Sequence, residues 1–156
     1  MSLSPDKVGL FLRSQAEELE RIWRDARAAS RPDVFPGLID GLVAPFFLRA
    51  GELLGSGAAP EEVWQGLVGI VRWAPALEPD ELKEEWALLV EVLVAACESV
   101  NASRDAADWL ARAASSAAAG TAALVRRHGK APEGVVTAIV FSSVSPRQPG
   151  AERPEA

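Results

Sequence analysis

With 156 residues, 49% of them hydrophobic and 24% charged, the chain is the size of one domain and too apolar to be disordered. Its formal net charge of −6 withholds the broad positive field that nucleic-acid binding requires. One cysteine rules out an internal disulfide, and one histidine rules out a multi-histidine metal site.

Charge is spread unevenly. Residues 76–101 carry seven acids against Lys83, and residues 102–131 carry five bases against Asp105 and Asp108. Met1-Ser2-Leu3-Ser4-Pro5-Asp6-Lys7 leads straight into an amphipathic segment, so no signal peptide is expected and a cytoplasmic location follows. The charge-free run Ala113–Val125 is shorter than the roughly 20 apolar residues of a membrane span, so no membrane partner is expected.

Five helical segments follow in chain order. The first takes Ser4 as N-cap and Pro5 as first helical residue. It carries Val8, Leu12, Gln15, Leu19, Ile22 and Ala26 as a seam at four- and three-residue steps and ends near Ala28, before Ser30-Arg31-Pro32-Asp33. The second is read from Pro36 to Leu54, with a kink at the interior Pro45 that turns Phe46 and Phe47 to the core, and with Gly55-Ser56-Gly57 as its stop.

Pro60, Glu61 and Glu62 open the third segment, which carries Val63, Trp64, Leu67, Ile70 and Val71 up to Pro75. The fourth starts at Pro79-Asp80-Glu81, where acids suit the helix dipole, and repeats Leu82, Trp86, Leu89, Leu93, Ala96 and Val100. Ser103 caps the fifth, which runs past Trp109 and Leu110 to a stop at Gly129. Its stretch Ala113–Gly120 is a small-residue face that lets another helix approach closely. Val135–Phe141 favours a strand by propensity, yet Pro132-Glu133 would equally start a short helix. The resulting expectation is an all-α, single-domain bundle of about five helices over residues 1–141, followed by a disordered tail over 142–156.

No residue group carries catalytic chemistry. His128 stands with Arg126, Arg127 and Lys130 at a helix C-terminus, where cations meet the terminal carbonyls. Cys97 beside Leu93, Ala96 and Val100 reads as a small apolar filler. Gly51-x-x-x-Gly55-x-Gly57 follows a helix rather than a strand and lacks the lysine of a nucleotide loop. The chain is therefore expected to be no enzyme and to use no cofactor or metal.

Two roles remain. Leu12, Leu19, Leu89 and Leu93, with the cations Arg126 and Arg127, are the expected interface for a protein partner and for a homodimer. Alternatively Trp64, Trp73 and Trp86 would line an aromatic cavity for a small molecule.

Three segments also carry a family likeness: Glu17-Glu18-Leu19-Glu20-Arg21-Ile22-Trp23, Leu38–Val43, and Leu82–Leu93 with its acids, Trp86 and spaced leucines. Over roughly residues 10–100 the chain resembles the N-terminal non-haem, globin-like sensor domains of bacterial stressosome regulators and related kinases. Pro45 and the alanine-rich fifth helix depart from that pattern. The resemblance implies a dimeric, non-enzymatic signalling domain that binds protein partners.

Overall fold

The two longest helices begin at the two predicted serines. In the computed structural model, which describes residues 2–30, 39–70 and 79–128, α1 (Pro5–Ser30) starts after Ser4, whose carbonyl accepts the Val8 N–H at 2.9 Å. The last helix, Arg104–His128, starts after Ser103, whose hydroxyl accepts the Ala106 N–H at 3.2 Å. Between them lie α2 (Val43–Leu53), α3 (Glu62–Leu67) and α4 (Pro79–Ser99), so that final helix is α5. The described residues form an all-α bundle of these five helices.

Two boundaries and the place of Pro45 differ from the sequence reading. Residues 40–42 form a 3-10 turn, and α2 begins only at Val43. Pro45 is therefore the third residue of α2, in a first turn whose N–H groups lack helical partners, and not an interior kink. Phe46 and Phe47 are fully buried all the same. The third segment is α-helical for only six residues and then tightens to a 3-10 turn over Val68–Ile70. Trp73, Val135–Phe141 and the expected tail over 142–156 lie outside the described residues.

The buried face of α1 also differs. Its core positions are Val8, Leu12, Ala16, Leu19, Trp23 and Arg27. Gln15 and Ile22, read as seam residues, face solvent. A straight helix drifts about 20° per heptad from a strict 3.5-residue repeat, so over this length the buried line migrates by one position.

Helices α1 and α2 meet at glycines. A Cβ placed on Gly9 would stand 2.6 Å from the Gly51 carbonyl oxygen, and one on Gly51 would stand 2.6 Å from that of Gly9. No side chain fits there, and the two backbones touch. α2 then ends at Leu54, after which Gly55 takes φ +86°, the left-handed conformation of a helix stop.

Around this crossing the core is aromatic and aliphatic. Phe46 packs edge-on against Phe47 at 5.5 Å and against Trp86 at 6.1 Å between ring centroids. Each such side chain taken fully out of water contributes about 1.5–3 kcal/mol. α4 lies between α1 and α5 and buries Leu82, Trp86, Leu89, Leu93 and Ala96 of the stripe expected from its sequence, while Val100 lies past its end and is half-buried. α5 buries Ala106, Leu110, Ala113, Ala114 and Ala117, and the indole of Trp64 from α3 lies against Gly120. The small-residue face thus receives a helix within the same chain. Leu3 pairs with the α4–α5 turn: its N–H donates to the Asn101 carbonyl at 2.7 Å, and its carbonyl accepts the Ser103 N–H at 2.8 Å.

Candidate interaction surface

α4 carries two of the seven large hydrophobic side chains left exposed among the described residues. An amphipathic surface helix buries one apolar stripe and turns charge to water. α4 does bury one stripe, yet Val90 and Val94 beside it remain 37% and 48% exposed. Past its first turn, the exposed side of α4 carries Lys83, Glu84, Glu91 and Glu98 among apolar and small residues.

A shallow groove flanks α4 on each side. The one shared with α5 has a volume of about 300 Å³ and is lined by Val90, Leu93, Val94, Cys97, Glu98, Asn101, Ala102, Ala107 and Ala111. The one shared with α1 has about 240 Å³ and includes Phe11, Gln15, Ile22, Val92, Ala95 and Ser99. A third groove, of about 780 Å³, lies where the end of α1 meets the start of α4 and is acidic, with Asp80, Glu81, Glu84 and Glu91 beside Arg27.

Beneath that acidic groove sits a buried polar cluster that the sequence did not single out. Arg27 donates to one carboxylate oxygen of Glu85 from Nε at 3.2 Å and from Nη2 at 3.0 Å. The other oxygen accepts the Ile39 N–H at 3.4 Å, and the Glu85 carbonyl accepts the Trp23 indole N–H at 3.1 Å. The guanidinium carbon lies 6.0 Å from the Trp23 ring centroid. In the sequence, Glu85 reads as one of a row of solvated acids. What would have flagged Arg27 is its place four residues after Trp23 on the buried line of α1.

Leu12, Leu19, Leu89 and Leu93, expected at a partner interface, are core residues of the single chain, none more than 5% exposed. α1 and α4 spend them chiefly on the bundle, with Leu93 and Leu19 also reaching the walls of the two grooves. Arg126 and Arg127 are exposed near the end of α5. The valines Val90 and Val94 and the glutamates Glu84, Glu91 and Glu98 that α4 exposes were hidden in the sequence by the stronger stripe next to them.

Of the three tryptophans expected to line a cavity, Trp64 and Trp86 are described. Trp86 is buried, and its indole N–H donates to the Thr121 hydroxyl at 2.7 Å. Trp64 packs on Gly120 instead. Trp109 likewise serves structure, donating to the Ala58 carbonyl at 3.0 Å and fastening the α2–α3 turn to α5.

Cys97 is half-buried on the floor of the α4–α5 groove. Burial, and secondarily the charge of Glu98, push its thiol above the usual range, which disfavours the reactive thiolate. Among the described residues no group of three or more histidine, cysteine, aspartate or glutamate side chains is placed to hold a metal ion, and no helix is long and apolar enough to cross a membrane. Comparison with protein-family models, curated proteins and solved structures finds no match for the chain.

Proposed function

We propose that this chain is a non-enzymatic regulatory module that works through protein–protein contacts and self-associates as a dimer, the role that its likeness to bacterial sensor domains implies. The observation that carries the reading is the outward side of α4. Exposed Val90 and Val94, with a largely apolar groove on each flank, leave apolar surface in water on a helix whose buried stripe is already satisfied. Contiguous exposed apolar surface on a small helical protein marks a contact site rather than a solvated face.

Sedimentation equilibrium at micromolar concentration tests the dimer. A mass approaching twice 16.6 kDa supports it, and a single species of 16.6 kDa throughout overturns it. Cross-linking in native cytosol followed by mass spectrometry tests the partner-binding role, with cross-links expected from Lys83 on α4. Their complete absence would count against a heterologous partner on this face.

A further inference from the structure

We infer that the α4–α5 groove is the homodimer surface, and that its occupant is the same groove of a second copy. This assignment rests on the dimeric reading above and gives it a geometry.

The two banks of the groove differ in size. α4 contributes the exposed valines Val90 and Val94, and α5 contributes Ala107 and Ala111. A two-fold axis running parallel to the groove places the α4 of one copy over the α5 of the other at the same level. Valine knobs then meet alanine hollows twice, once for each copy, as an isologous contact requires. Pairing α4 with α4 instead would set valine on valine and bring Glu91 and Glu98 against their own copies.

Charge follows the same symmetry. Glu98 lines the groove on the α4 bank, and Arg104 lies three and seven residues before Ala107 and Ala111, on the same side of α5. The axis that matches valine to alanine also brings Glu98 of each copy to Arg104 of the other. Neither residue takes part in an ion pair among the described residues. Both charges, moreover, oppose the dipole of their own helix. Glu98 lies in the last turn of α4, where a cation is favoured, and Arg104 is the first residue of α5, where an anion is favoured. Within one chain each is misplaced, and across the dimer each is matched.

Charge reversal tests this on the full chain. Glu98→Arg and Arg104→Glu each replace the pair with a like-charged one at two symmetric places. Each variant alone should dimerise about tenfold more weakly than the parent. Mixed together they should form a heterodimer, since each then offers the sign that the other lacks. Both substitutions suit the helix dipoles, so the melting temperature at monomeric concentration should hold or rise, which separates lost dimer from lost fold. Val94→Glu should abolish the dimer in the same assay. If the parent dimerises and all three variants do so equally well, the face is wrong while the dimeric reading stands. If the mixture associates no more tightly than either variant alone, the Glu98–Arg104 pairing is wrong. A parent that stays monomeric overturns both this assignment and the dimeric reading.

Discussion

Arg27 and Glu85 are joined by two hydrogen bonds to one carboxylate oxygen, at 3.2 and 3.0 Å, with the residues only 8% and 4% exposed. They lie 58 positions apart in sequence, and through them the end of α1 is fixed to the first half of α4. Trp23, one turn before Arg27, reaches the backbone of the same glutamate.

Removing one partner of this pair should therefore be costly. Glu85→Gln or Arg27→Met removes one side of a pair that is almost fully buried, and each should destabilise the fold by roughly 3–5 kcal/mol. Replacing both together should cost less than the sum, since the two side chains are hydrogen-bonded to each other. Urea unfolding of the two single variants and the double variant measures this coupling. Additive losses would show that the two side chains act independently.

The glycine crossing makes a prediction of opposite sign to helix propensity. Alanine is better than glycine in a helix interior by about 1 kcal/mol. At Gly9 or Gly51, however, the new methyl would stand 2.6 Å from a carbonyl oxygen and push α1 off α2. Gly9→Ala and Gly51→Ala should thus lower stability by about 1–3 kcal/mol net. Gly69→Ala, where no described atom stands within 4 Å of the added methyl, is the control and should change stability by less than about 1 kcal/mol. Thermal melts compare the three.

At Pro45 little should happen. The ring occupies the first turn of α2, where an N–H has no helical acceptor to lose, so Pro45→Ala should shift the melting midpoint by less than about 1 kcal/mol equivalent. Tryptophan fluorescence should stay as it is, because Phe46 and Trp86 need not repack. A marked spectral shift would mean that the turn before α2 depends on the proline.

The thiol of Cys97 gives a pH dependence. Its pKa is raised in the folded state, so the unfolded chain loses this proton first as pH rises. The associated stability is complete below the thiol pKa of the unfolded chain and is lost as pH climbs from there through the folded value. Denaturant midpoints taken from neutral to alkaline pH should fall, and Cys97→Ala should flatten that fall. Equal slopes would place the alkaline loss on other groups.

How much of this was legible in the sequence depends on the range over which each feature is decided. Ser4 with Pro5, Pro79 with its acids and Ser103 set the starts of α1, α4 and α5, because helix starts are fixed by backbone groups a few residues away. The core stripe of α4 was equally plain, since its period is a property of one helix. What the sequence could not decide was which of two adjacent apolar stripes would be spent inside. Leu89 and Leu93 look as available for a partner as Val90 and Val94, and only the packing of α1 and α5 on either side of α4 buries the first pair and leaves the second in water. The same holds for Glu85. Asp80 and Glu84 just before it are exposed acids, and its role comes from Arg27 on another helix, a contact made only once the chain has folded.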